Sequence, residues 1–92
     1  MKIDIHMLNF EADDEFLNRI YNRIKSLNNY SELFTNAEVF LKKEQNSEEF
    51  NLEIRLHGRA TDISANTQLG SFDDALESTY EKILNELKKR NK

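Results

Sequence analysis

Three observations predict an α+β domain of order β-α-β-β-β-α, a four-stranded mixed sheet with two helices packed on one face. Four short stretches alternate apolar and polar residues with period two. Two longer stretches repeat apolar residues every three or four positions. One of these long stretches separates the first strand from the other three, and the other closes the chain. Each alternating stretch has a single apolar side, so the sheet has one face to bury and both helices must lie on it.

Lys2–Met7 places Ile3, Ile5 and Met7 on one side and Lys2, Asp4 and His6 on the other, which predicts the first strand. Asp13 then stands where a helix N-cap belongs, and Phe16, Leu17, Ile20, Ile24 and Leu27 follow at helical spacing. The first helix is predicted from about Asp14 to Asn28, ending in Asn28-Asn29, residues that tolerate the left-handed conformation of helix C-termini. A loop is expected around Tyr30–Asn36. Ala37, Val39 and Leu41 alternate with Glu38, Phe40 and Lys42 in the second strand, and the polar run Lys43–Glu49 reads as a hairpin loop.

Phe50, Leu52, Ile54 and Leu56 alternate with Asn51, Glu53, Arg55 and His57, the cleanest strand of the chain, which His57-Gly58-Arg59 turns. Thr61, Ile63 and Ala65 alternate with Asp62, Ser64 and Asn66 in a shorter, more polar strand that suits a sheet edge. Thr67–Gly70 leads to the closing helix, where Phe72, Leu76, Thr79, Ile83 and Leu87 form an apolar stripe. Ser71 is placed to cap it. Asp73, Asp74 and Glu77 suit its positive end, and Lys88, Lys89, Arg90 and Lys92 its negative end. The first helix is a crossover, so the first two strands should be parallel and the last three an antiparallel meander.

A chain of 92 residues allows one domain, 1–92, with little room for an embedded catalytic cleft. It has no cysteine, so neither disulfides nor thiolate metal sites are available. Met1–His6 carries no apolar run of signal-peptide length, which predicts a soluble cytoplasmic protein without membrane attachment. The net charge of −4 argues against a general basic coat for nucleic acid, yet placement matters more than the sum. From Lys82 to Lys92 there are five Lys or Arg against the single Glu86, whereas Glu11–Glu15 and Glu44–Glu49 are acidic. Such asymmetry suggests one face that meets an anion.

At about 100° per residue, Arg19, Arg23, Ser26 and Tyr30 lie beside the buried stripe of the first helix, and Ser78, Lys82, Asn85 and Lys89 beside that of the second. Two such ridges on one sheet face are expected to border a shared groove suited to an RNA backbone, with cations on phosphates and Ser, Asn and Tyr on sugars and bases. The competing account is an ordinary solvated surface, because Glu15–Arg19, Lys82–Glu86 and Glu86–Arg90 have the spacing of helical ion pairs.

The series Phe16, Arg19, Ile20, Arg23, Ile24, Leu27, Tyr30 resembles the first helix of the ribosome hibernation-promoting factor and ribosome-associated inhibitor family, which typically reads Leu, Tyr, Val, Lys, Leu, Leu, aromatic at those intervals. Ala75-Leu76-Glu77, Lys82-Ile83, Glu86-Leu87 and Lys89 resemble that family's Ala-Ile-Asp, Lys-Leu, Gln-Leu and Lys. Arg19 stands where the family has an aromatic and Glu86 where it has Gln. The resemblance covers nearly all the chain and, because it ends at Lys92, is to the short form without the C-terminal domain that pairs ribosomes. It implies a translation inhibitor that binds the small ribosomal subunit, ribosomal RNA included, in the mRNA and tRNA channel and holds ribosomes inactive in slow growth. On that resemblance Arg23, Lys82 and Lys89 face ribosomal RNA, with Arg19, Lys25, Lys88 and Arg90 as further contacts. A monomer with no cofactor, metal or small-molecule substrate is expected.

Two other functions fit the same elements. A sheet with two helices on one face also resembles double-stranded RNA-binding modules, and the polar edge around Thr61–Asn66 suits a protein-interaction module. His6 and His57 lack a ligand-like spacing, and no strained turn or oxyanion-hole glycine accompanies any Ser, His and Asp, so metal binding and catalysis are not expected. Phe40 points to the exposed sheet face, where stacking on a base competes with simple packing on cross-strand neighbours.

Overall fold

The computed structural model describes residues 2–9, 11–27, 34–43, 48–59 and 62–90. The expected helix end at Asn28-Asn29, the loop residue Tyr30, positions 44–47 of the hairpin loop, Thr61, Lys92 and the side chain of Arg90 lie outside these described residues. The elements are β1 (Lys2–Leu8), α1 (Asp14–Ser26), β2 (Phe34–Lys43), β3 (Phe50–Gly58), β4 (Asp62–Leu69) and α2 (Phe72–Arg90), in the expected order. The sheet runs β1-β2-β3-β4, with β1 parallel to β2 and the other neighbours antiparallel.

Register explains the single buried face. Ile3 pairs with Ala37 and Ile5 with Val39. Val39 in turn pairs with Ile54, and Ile54 with Ala65, so the apolar positions of all four strands share one side. Onto that side α1 delivers Phe16, Ile20, Ile24 and Leu27, and α2 delivers Ala75, Leu76, Thr79, Ile83 and Leu87, all buried. α2 lies over β3 and β4, with α1 beside it. Each large aliphatic side chain removed from water in this way contributes roughly 1.5–3 kcal/mol before entropy is charged. Thr79 is fully buried, and its hydroxyl donates to the Ala75 carbonyl at 2.7 Å, so the one polar member of the stripe is satisfied within its own helix.

The start of α1 follows the predicted capping chemistry, and α2 starts at Ser71 through its backbone. The Asp13 side chain accepts from the Phe16 amide at 2.8 Å, and the Ser71 carbonyl accepts the first helical bond of α2, from Ala75, at 3.0 Å. β1 ends at Asn9, whose φ of 69° lies in the left-handed region that Asn tolerates.

Two strands are longer than the alternation predicts. β2 begins at Phe34, inside the stretch expected to be a loop, because the register shifts between Phe34 and Asn36. With Ala37, Val39 and Leu41 inward, strict alternation puts Thr35 in the core and Phe34 outside. The extra residue at Thr35 reverses this. Phe34 is buried, and the exposed Thr35 hydroxyl bonds the His57 carbonyl at 3.2 Å. β4 continues through Thr67–Leu69, expected to be a connection, because β3 offers partners as far as Phe50, opposite Leu69. Backbone pairing overrides a polar sequence there.

Phe34→Ala should therefore cost roughly 3–5 kcal/mol as a core truncation, whereas Phe40→Ala on the open face should cost only about 1 kcal/mol. Urea unfolding of both variants checks this, and equal losses would contradict the bulged register.

Candidate functional site

Four of the seven cations proposed from sequence, Arg19, Arg23, Lys82 and Lys89, divide between two grooves on either flank of α2. On the α1 side, Arg19 Nη2 lies 3.2 Å from Asp73 Oδ1, and Arg23 bonds Glu77 Oε1 through Nη2 at 2.6 Å and Nε at 2.8 Å. The next contact along is Ser26 with Tyr80, oxygen to oxygen at 2.8 Å. The Ser26 proton goes to the Arg23 carbonyl at 2.6 Å, so the Tyr80 hydroxyl is the donor to Ser26. The Arg23 guanidinium also lies 5.1 Å from the Tyr80 ring centroid.

All three contacts join residues 54 apart in sequence, which means the helices run parallel and in step. The sequence spacing supports this: 19, 23, 26 and 73, 77, 80 are both i, i+4, i+7 series. Between them lies an open groove of about 340 Å³ lined by Arg19, Asn22, Arg23 and Ser26 from α1 and Asp73, Leu76 and Glu77 from α2. It is bordered by arginines, as the helical wheel predicts, but by their carboxylate partners as well.

Lys82, Asn85 and Lys89 face the other way. They and Glu86 line a polar groove of about 640 Å³ against Asp62–Asn66 of β4. The expectation that Lys82 and Lys89 share one groove with Arg23 is thus corrected. On α2 the step from Glu77 to Lys82 turns about 140° around the axis, which carries Lys82 to the far flank. Lys82 Nζ donates to the Asn66 carbonyl at 3.0 Å, occupying one acceptor of the edge strand, and Lys89 Nζ lies 3.8 Å from Glu86. An ammonium that donates once retains two protons for an anion. The Lys82 contact also closes part of the edge that a protein-interaction module would use. Lys25 and Lys88 are exposed and, among the described residues, unpaired.

The open sheet face holds a cluster that sequence reasoning missed. His6 of β1 lies 3.5 Å from Glu38 of β2, His57 of β3 bonds Glu38 at 2.7 Å, and its other ring nitrogen lies 3.5 Å from Asp62 of β4. These residues are remote in sequence, and only the register aligns them. No set of three or more His, Cys, Asp or Glu with metal-holding geometry occurs among the described residues. Phe40 is stacked on His6 at 4.9 Å between centroids and carries the Arg55 guanidinium 4.8 Å from its own centroid, so cross-strand packing is the account that holds for it. No described helix is long and apolar enough to cross a membrane.

A family model described as sigma 54 modulation protein / S30EA ribosomal protein matches residues 3–92. Among solved structures, the N-terminal domain of Thermus thermophilus Protein Y superposes with a TM-score of 0.84 at 16% identity, covering 97% of this chain and 98% of that one. A ribosomal subunit interface protein from Coxiella burnetii gives 0.87 at 9% identity, with 98% and 97% covered. At these identities the two structures show that the fold is shared. No curated protein sequence matches the chain.

The ion pairs between the helices are about half exposed, a setting in which such pairs contribute little. Glu77→Gln is expected to change unfolding stability by less than about 1 kcal/mol; a larger loss in urea unfolding would make the pair a structural support of the fold.

Proposed function

The chain belongs to the sigma 54 modulation protein / S30EA ribosomal protein family, and from that premise we propose that it is a ribosome-associated hibernation factor in the cytoplasm. It binds the small subunit in the mRNA and tRNA channel as a monomer and blocks translation by occupying that channel, without chemistry. The observation that carries this reading is the family match, which spans residues 3–92. The two similar structures, a Protein Y domain and a ribosomal subunit interface protein, support the same reading.

Geometry supports an RNA backbone as the occupant. Lys82 and Lys89 line an open polar groove in which Asn85, Ser64 and Asn66 supply uncharged hydrogen-bonding groups, beside the carboxylates of Asp62 and Glu86. Phosphate recognition wants this mixture, cations for the charge and amides and hydroxyls for position. Because the helices run in step at an offset of 54, α2 extends nearly three turns beyond α1, so Lys88, Lys89 and Arg90 stand on a projecting, cation-rich end. Lys25 adds an exposed charge near the end of α1. Arg19 and Arg23 are the remaining contacts, on the interhelix flank. The two helices carry seven Lys or Arg against seven Asp or Glu, so the helical layer is neutral in sum within a protein of net charge −4. Its cations are concentrated from Lys82 to the end of α2, and a local concentration of that kind attracts a polyanion despite the overall sign.

Sedimentation through a sucrose gradient tests the proposal. The protein should travel with small subunits at low salt and leave them as salt rises; failure to co-sediment at low salt would overturn it. Lys82→Ala with Lys89→Ala should weaken binding and lower the slope of log affinity against log salt by about 1.4–1.8, the value for two lost phosphate contacts. An unchanged slope would remove those lysines from the interface.

A further inference from the structure

We propose that Asp73 and Glu77 act as an internal latch on the nucleic-acid surface, occupying in the free protein the anion seats of Arg19 and Arg23 so that a phosphate enters the interhelix groove only by displacing them. This rests on the ribosomal RNA reading above and adds a regulatory element to it.

The geometry is that of a substitute ligand. A guanidinium presents N–H donors in a planar fork that suits carboxylate and phosphate alike. Glu77 uses one oxygen to accept from both Nε and Nη2 of Arg23, and Asp73 accepts from Arg19 one helical turn earlier. The Arg23 guanidinium lies 5.1 Å from the Tyr80 ring centroid, and the Tyr80 hydroxyl is anchored on Ser26, so a fixed ring backs the guanidinium where it borders the groove. The carboxylates sit on the other helix, not on α1 itself, and so the seats are filled from across the groove. At about half exposure these pairs are exchangeable, because water and salt compete for them. A polyanion whose counterions are released on contact is a stronger competitor than a single carboxylate.

In the latched state the two arginines contribute little to the affinity for RNA, and the lysines of the β4 flank and of the projecting end carry the first encounter. Removing the latch carboxylates frees the arginines, so the contribution of Arg23 depends on whether Glu77 and Asp73 are present.

A double-mutant comparison tests this. Asp73→Asn with Glu77→Gln should tighten binding to small subunits about fivefold to tenfold, the range two exposed pairs allow. Asp74→Asn with Glu81→Gln removes the same charge from exposed positions of α2 outside the groove lining and should give less than half that gain. Arg23→Ala should cost less than about twofold in the wild-type background and about fivefold in the Asn/Gln background. An equal cost in both backgrounds, or an equal gain from the control pair, would overturn the latch.

A ribosome-free arm separates the two proposals. Inorganic tripolyphosphate, followed by the Nε–Hε resonance of Arg23, should shift that resonance in the unlatched variant at concentrations that leave the wild type unmoved. Identical responses would overturn the latch. A differential response from proteins that never sediment with small subunits would leave the latch standing and overturn the ribosomal reading.

Discussion

The constraint on which the rest of the structure depends is that the sheet has one apolar face. Ile3, Ala37, Val39, Leu52, Ile54, Leu56 and Ile63 all lie on that side, held there by register. Two amphipathic helices must share the space above four strands, and strand spacing of about 4.8 Å leaves room for little more than two helices of about 10 Å diameter. They therefore lie side by side. The connectivity makes them parallel, because each follows a strand of the same direction. Two parallel helices meet along polar edges as well as apolar ones, and those polar edges, at a fixed offset, become the Arg19–Asp73, Arg23–Glu77 and Ser26–Tyr80 contacts. The charge arrangement of the helical layer is thus a consequence of sheet burial.

Most of this was legible in the sequence as far as it depends on periodicity along one segment. The alternation in Phe50–His57 and the helical spacing of Phe16, Ile20, Ile24 and Leu27 encode local geometry directly. What escaped depends on relations between segments. Phe34 is buried because one extra residue shifts the β2 register, and nothing in Phe34-Thr35-Asn36 taken alone distinguishes a bulged strand from a loop. Thr67–Leu69 is strand because β3 reaches far enough to pair with it. The candidate site behaved the same way. The wheel placed Arg19 and Arg23 beside the buried stripe correctly, yet an angle on one helix does not say which residue of another helix stands opposite. The common offset of 54 is a property of the packed pair. Position in the sequence makes Asp73 and Glu77 dipole partners of their own helix, a role compatible with, but not sufficient for, the one they hold across the groove.

The two flanks of α2 pose different electrostatic problems. On the β4 flank Lys82 contacts a carbonyl, which is neutral, so its full charge remains to act on an incoming anion. On the α1 flank each arginine faces a carboxylate, and the pair presents almost no net charge beyond its immediate surroundings. At physiological salt the field of an isolated charge fades over about 8 Å, so Lys82 and the exposed Lys25 and Lys88 dominate what an approaching polyanion would meet first, ahead of Lys89, which has Glu86 at 3.8 Å. The arginines matter only at contact, where their fork geometry counts. A protein of net negative charge can in this way keep a polyanion-facing surface and leave part of that surface neutralised.

The sheet's other face bears on the proposal that the helical layer, and not the strands, meets the anion. An RNA-binding sheet offers unstacked aromatic rings to bases and unpaired cations to phosphates. Here Phe40 is covered by His6 and by Arg55, and Arg55 also meets Glu53 at 3.2 Å. The row His6, Glu38, His57, Asp62 links all four strands through contacts of 2.7–3.5 Å. Every ring and charge in that arrangement already has its partner within the sheet. An incoming base would have to displace His6 or Arg55 from Phe40 to stack, so its gain is reduced by the loss of a contact worth roughly 0.5–1 kcal/mol at an exposed site. The face is closed on itself by cross-strand pairing, whereas Lys82 in the β4 groove keeps ammonium protons to spare. That difference in residual donor capacity, more than the count of charges on either side, is what favours the helices over the sheet in the proposed anion contact.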